Sequence, residues 1–171
     1  MTEYRRRVSV FYPNEYAIGL WAREDFVKKC QYLFTEGTTI LDIGCGSAAI
    51  KRFLPEGVTY VGIDNTTGGE LCSSPDIVCD AGSIPLEDKC AEVISAFALD
   101  VFKIPGAVTE IKRLLKDDGY FVFHGTKEYF YLNNVKRLIR DHGFEIEEEF
   151  RQVFKFPGIT TRDIYYICRL R

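Results

Sequence analysis

The sequence predicts a single α/β domain, residues 1–171, built on a mostly parallel sheet of about seven strands. Three observations carry this reading. Strand-like and helix-like segments alternate along the chain. The first strand-like segment runs straight into a glycine-rich turn, the usual place for a ligand at the edge of such a sheet. The last two strand-like segments are joined around Pro157-Gly158, too short a link for a parallel crossover, so they pair as an antiparallel hairpin.

The elements follow in order. Residues 1–16 form an N-terminal segment and a candidate substrate lid. Residues 17–34 read as a helix, with Phe26, Cys30, Leu33 and Phe34 at helical spacing. Thr38 to Ile43 is a short apolar strand. Residues 47–54 are a short helix stopped by Pro55. Thr59 to Ile63 is a second strand, ending at Asp64. Residues 65–75 are turn-rich, and Ile77 to Cys79 is a brief third strand. Glu92 to Leu99 is nearly all apolar, as a strand covered on both faces should be. Residues 105–116 are a helix with Val108, Ile111 and Leu115 on one face and Pro105 in the first turn. Asp118-Gly119 turns the chain into a fifth strand, Tyr120 to Phe123. Residues 130–142 are a helix with Leu132, Val135, Leu138 and Ile139 inward, closed by His142-Gly143. The hairpin strands are 144–154 and 163–170.

Composition narrows the function. The chain is 46% hydrophobic and 27% charged, the balance of a folded globular protein. Its net charge is −3 and its pI about 5.5. The whole protein therefore has no electrostatic reason to bind nucleic acid or an anionic membrane. Arg5, Arg6 and Arg7 read as a solvated tail. No apolar run reaches the ~20 residues of a membrane span, and no secretory signal is present. The six cysteines show no CxxC spacing, so the expectation is free thiols in the cytoplasm and no metal.

The strongest local signal is Asp42-Ile43-Gly44-Cys45-Gly46, a strand, a glycine turn and then a helix. Gly44 and Gly46 let the backbone bend tightly and approach a ligand without a Cβ in the way. Gly44, Gly46 and Ala49 formally satisfy the dinucleotide pattern G-x-G-x-x-G/A, with Asp64 near the right distance downstream. Asp42 argues against that reading. A pyrophosphate gains nothing from a carboxylate there, whereas a ligand bearing a positive amino group does.

With Asp42, Gly44, Gly46, Asp64 and Cys79-Asp80-Ala81 in this order, the sequence resembles the class I S-adenosylmethionine-dependent methyltransferases, in particular their small ubiquinone-biosynthesis-like members. The likeness covers about residues 38–125. It implies a Rossmann-like sandwich whose cofactor is S-adenosylmethionine and whose product is S-adenosylhomocysteine. By that resemblance Asp42, Gly44 and Gly46 hold the methionine half, with Cys45 in the same loop. Asp64 binds the ribose hydroxyls, with Asn65 beside it. Asp80 and Ala81 bind the adenine, and Phe97 flanks the cofactor. Ala48 stands where the family often has a third glycine.

Ligands of open α/β sheets sit beyond the carboxyl ends of the strands. That puts His124, after strand five, and Asp100, after strand four, near an acceptor. His124 is a candidate general base because imidazole titrates near neutrality; Asp100 is the second candidate. His142 reads as a helix-end residue. Tyr4, Phe11, Tyr12, Tyr16, Tyr129, Phe130, Tyr131, Phe154 and Phe156 are candidates for an apolar acceptor pocket. The resulting expectation is an enzyme acting on a small-molecule acceptor. A weak or inactive cofactor-binding partner subunit, a protein or RNA methyltransferase, and an NAD-dependent oxidoreductase are the alternatives. The sequence does not decide between a monomer and a homodimer.

Overall fold

The computed structural model describes residues 15–66, 74–97, 99–126, 134–156 and 159–171, and side chains over 22–66, 74–97, 99–124, 134–153 and 163–171. Helix α1 (Glu15–Lys29) leads through a 3-10 turn, Gln31–Leu33, into β1 (Thr39–Ile43). Then come β2 (Thr59–Asp64), β3 (Ile77–Val78), β4 (Ala91–Phe97), α2 (Ala107–Leu114), β5 (Leu115–Thr126), α3 (Val135–Asp141), β6 (Phe144–Phe156) and β7 (Ile159–Leu170). The strands form one sheet in the order β3-β2-β1-β4-β5-β7-β6. The pairs among β3, β2, β1, β4 and β5 are parallel; β7 is antiparallel to both β5 and β6. The mostly parallel sheet with an antiparallel C-terminal hairpin is the architecture the sequence predicts.

Side chains alternate across the sheet, as strand geometry requires. On one face Ile40, Val93, Val122, Tyr165 and Ile167 pack with Phe26 and Val27 of α1 and with Cys30 just past its end. On the other, Leu41, Ile43, Ile94, Ala96, Phe121 and Phe123 pack with Ile111 and Leu114 of α2 and Val135 and Ile139 of α3. Both faces are apolar, so the central strands read as continuous hydrophobic runs.

Several boundaries differ from the sequence reading for local reasons. The helix expected over 47–54 is a 3-10 turn, Ala49–Phe53. Pro55 leaves too little chain for α-helical bonds to propagate. The helix expected over 105–116 is Ala107–Leu114; Gly106, at φ +81°, precedes it, which places Pro105 outside. Asp118-Gly119 is not a free turn but part of an irregularity inside β5. There Ala91 pairs with Leu115 and Val93 with Tyr120. Strand β4 ends at Phe97, two residues early. The helix expected over 130–142 is described from Val135 to Asp141, and Gly143, at φ +79°, closes it. Residues 67–73 of the expected turn-rich stretch, Leu132, and the Pro157-Gly158 turn lie outside the described residues.

Helix α2 also fixes the loop after β3. A Cβ on Gly82 would lie 2.1 Å from the Pro105 carbonyl oxygen, so only glycine permits this backbone crossing. Glu110 Oε2 accepts the Ile84 N–H at 2.8 Å, and Arg113 donates to the carbonyls of Leu86 (2.7 Å) and Ile84 (2.9 Å). The Glu110–Arg113 pair thereby holds Asp80 and Ala81 at the carboxyl edge of the sheet.

Candidate active site

The carboxyl ends of β1, β2 and β4 open into a cavity of about 390 Å³. Gly44 starts the bend that makes room for it. Its N–H and that of Cys45 both donate to the Ile63 carbonyl, at 2.8 and 3.1 Å. Gly44 has φ +74°, and a Cβ there would lie 2.8 Å from Leu99 Cδ2. The turn continues through Gly46, whose N–H donates to Asp64 Oδ2 at 3.0 Å. Asp64 Oδ1 accepts the Thr66 N–H at 3.2 Å and its hydroxyl at 3.0 Å. One carboxylate thus ties the β1 turn to the end of β2.

Of the residues predicted to hold a cofactor, Gly44, Gly46, Asp64, Asn65, Asp80, Ala81 and Phe97 line this cavity. Asp80 Oδ1 accepts the Gly82 N–H at 2.7 Å. Ile43, Ile63, Thr66, Cys79, Leu99 and Ile104 complete the lining. The first four adjoin motif residues, so their neighbourhood was readable. Leu99 and Ile104 come close only through the path of the chain after β4.

Asp42 and Cys45 do not line the cavity. Strand alternation turns Asp42 toward the α1 face, where it is 3% exposed. It accepts the Ser95 hydroxyl at 2.8 Å and the Tyr60 hydroxyl at 3.0 Å. Gly62, beside Asp42 in the register, leaves the space that the Tyr60 hydroxyl needs. Burial pushes the Asp42 carboxyl up from its ordinary range, with the two hydroxyls opposing. Cys45 is also buried, and burial pushes its thiol up to about 12. It is therefore an inert packing group.

The two catalytic candidates also stand back from the cavity. His124 pairs in register with Phe97 on one side and Tyr165 on the other. It is 5% exposed, and its Nε2 lies 3.3 Å from Asp163 Oδ2. Burial, reinforced by the nearby charge of Arg23, pulls its pKa down to about 4, while Asp163 pulls the other way. His124 is therefore neutral at physiological pH. Asp100 caps nothing with its side chain; its Oδ2 lies 2.9 Å from Lys103 Nζ. His142 sits at the end of α3 with Nδ1 2.8 Å from the Leu138 carbonyl. Arg5, Arg6, Arg7, Tyr4, Phe11, Tyr12, Tyr129, Phe130 and Tyr131 lie outside the described residues, as do the side chains of Tyr16, Phe154 and Phe156.

Two predictions follow from this geometry. Ala48 holds φ 50° and ψ 38°, left-handed backbone that costs an L-residue ~1–2 kcal/mol. Ala48→Gly is expected to stabilise the protein by about 1 kcal/mol net, read as a rise of roughly 3 °C in the unfolding midpoint. A lower midpoint would show that the turn is not strained. His124 supplies the second. Between pH 6.5 and about 4 the unfolded chain takes up a proton here that the folded protein refuses. The stability linked to this group is complete above pH 6.5 and is lost as pH falls toward 4. Urea unfolding across that range is expected to cost the wild type about 3 kcal/mol more than His124→Gln. Parallel curves would contradict the depressed pKa.

Residues 41–123 match the family profile of a methyltransferase domain. An uncharacterized protein of Methanocaldococcus jannaschii is 28% identical over 113 residues, covering 62% of this chain and 42% of that protein. The chain thus spans under half the length of this curated relative. Among solved structures, a protein of Pyrococcus horikoshii OT3 superposes with a TM-score of 0.71 at 16% identity, with 100% of both chains covered. A SAM-dependent methyltransferase of Aquifex aeolicus gives 0.62 at 16% identity, covering 98% of this chain and 99% of that one. With the strand order, the glycine turn and the profile match in agreement, residues 41–123 carry a methyltransferase-domain signature on the fold of the S-adenosylmethionine-dependent methyltransferases to which the chain is similar.

Proposed function

We propose that the chain transfers the methyl group of S-adenosylmethionine to a small-molecule acceptor. The charge of the cavity carries this reading. Asp64 and Asp80 line it, and no Lys, Arg or His does so among the described residues. Such a lining favours a ligand with net positive charge and disfavours the two phosphates of a dinucleotide. The residues fit the cofactor. Asp64 accepts from the ribose hydroxyls, Asn65 lies beside it, and Asp80 accepts from the adenine amino group near the Ala81 N–H. Gly44 and Gly46 bring the backbone against the methionine half, and Phe97 flanks it.

When bound, S-adenosylmethionine supplies a methyl group already activated on a sulfonium, so positioning and exclusion of water supply much of the acceleration. For an acceptor that must lose a proton, His124 is the proposed base: it is neutral, and Asp163, 3.3 Å from its Nε2, steadies the imidazolium against the burial and the Arg23 charge that hold its pKa near 4. Asp100 is the second proton acceptor, although Lys103 holds one of its oxygens. Among the described residues five cysteines carry free thiols and no helix is long and apolar enough to cross a membrane. We place the protein in the cytoplasm on the thiols.

Thermal unfolding with S-adenosylhomocysteine, S-adenosylmethionine and NAD in parallel tests the cofactor. At 100 times its dissociation constant a ligand adds about 2.7 kcal/mol, on the order of 5–10 °C here. Shifts are expected with the first two, none with NAD, and none in Asp64→Ala. A shift with NAD alone would overturn the reading. Incorporation of labelled methyl into extract tests the acceptor: dialysis is expected to remove the signal, which would persist for a protein or RNA acceptor. His124→Gln is expected to lower kcat at least about 100-fold with S-adenosylhomocysteine binding unchanged. An unchanged kcat would remove His124 from the chemistry.

A further inference from the structure

Behind Phe97, on the α1 side of the sheet, lies a cation that is not part of the cavity lining. The Arg23 guanidinium carbon sits 4.1 Å from the centroid of the Phe97 ring. Its Nη1 donates to the Tyr165 hydroxyl at 3.0 Å. That hydroxyl lies 3.4 Å from the Ala22 carbonyl, to which it donates. Tyr165 is fully buried, and its ring is 4.5 Å from that of His124. Arg23 itself is half-buried.

A guanidinium has five N–H donors, and a charge taken partly out of water is normally paired with an anion. Arg23 spends one donor on Tyr165, and among the described residues no carboxylate pairs with it. The described carboxylates on this face are engaged elsewhere. Asp42 is held by Ser95 and Tyr60, Asp163 faces His124, and Asp25 is held by Lys29 and Gln152. Stacking on Phe97 compensates part of the lost hydration and fixes the plane of the fork. What is left is a pre-oriented cationic fork beside an aromatic ring that also lines the cofactor cavity.

We propose that Arg23 binds an anionic group of the methyl acceptor, a carboxylate or a group of like charge, and so sets its position against the cofactor beside His124. This rests on the methyltransferase reading above. Because the fork is planar and matches a carboxylate in two hydrogen bonds, lysine replaces it only in part.

The test separates the small molecules of a cell extract on a quaternary-ammonium resin, then assays each fraction with labelled S-adenosylmethionine. Methyl incorporation is expected only from the retained, anionic fraction. Arg23→Met is expected to raise the KM for that fraction about tenfold or more. Arg23→Lys should recover part of the loss. Both variants should bind S-adenosylhomocysteine within about twofold of wild type, which also shows that they are folded; weaker binding by a folded Arg23→Met would give the fork to the cofactor's own carboxylate and overturn the proposal. Activity confined to the unretained fraction, an unchanged KM in Arg23→Met, or no incorporation from either fraction by protein that binds S-adenosylhomocysteine would each overturn the proposal. Failure of the wild type to bind S-adenosylhomocysteine would instead overturn the function on which it rests.

Discussion

The site depends on the hydrogen bond from the Gly46 N–H to Asp64 Oδ2. Parallel strands end where their crossovers begin, and nothing in the ladder itself fixes how far apart two such ends stand. Here β1 turns at Gly44, and the Ile63 carbonyl takes the first two N–H groups of that turn. Asp64, the next residue of β2, takes the N–H of Gly46 and then closes on Thr66. The cavity floor is thus fixed by adjacent residues of one strand. A charge-assisted bond of this kind is roughly twice as strong as a neutral one. The same carboxylate that shapes the cavity is the one assigned to the ribose.

The other face of the same strands holds a buried polar row. Strand parity puts Asp42 and Ser95 on the α1 side with Ile40 and Val93, and brings His124 and Phe97 to the same side near the carboxyl edge. Asp42 and His124 are both desolvated, and burial disfavours the charged form of each. Each has a defined partner: two hydroxyls for Asp42, the Asp163 carboxylate for His124. Arg23 adds a positive charge above them, which steadies Asp42 and keeps the imidazole neutral. The helix that shields this face also supplies the charge that tunes it.

Much of this was legible in the sequence. Alternation and the short Pro157-Gly158 link gave the layered fold, because burial on both faces leaves a pattern and a short connection forbids a crossover. Gly44, Gly46, Asp64, Asp80, Ala81 and Phe97 reach the cavity because each stands at or just past a strand end, where direction hardly matters. Asp42 stands one step inside β1, where direction decides everything. Its parity with Ile40 already pointed it under α1. The short 3-10 turn was harder to foresee, since residues 47–54 carry no pattern that separates it from a helix. Arg23 left no local trace: a basic residue on a helix is ordinary, and only the closed sheet carries it to Phe97. The irregularity in β5 hides for a related reason. Gly119 reads as a turn, yet its lack of a Cβ serves close packing against Glu92 O, 2.9 Å from where that Cβ would stand.

Phe97 divides two electrostatic environments. On the cavity side the charged groups among the described residues are Asp64 and Asp80, both negative. On the α1 side the half-buried group stacked on the ring is Arg23, positive. Methyl transfer from a sulfonium spends positive charge at sulfur as the new bond forms. A negative lining steadies the cofactor before transfer and holds its neutral product less strongly, which favours release. An anionic acceptor is repelled by that same lining and drawn to Arg23, which favours the α1 side of the ring over the cofactor's place. One aromatic ring with opposite charges on its two sides therefore sorts the two reactants and sets them beside each other.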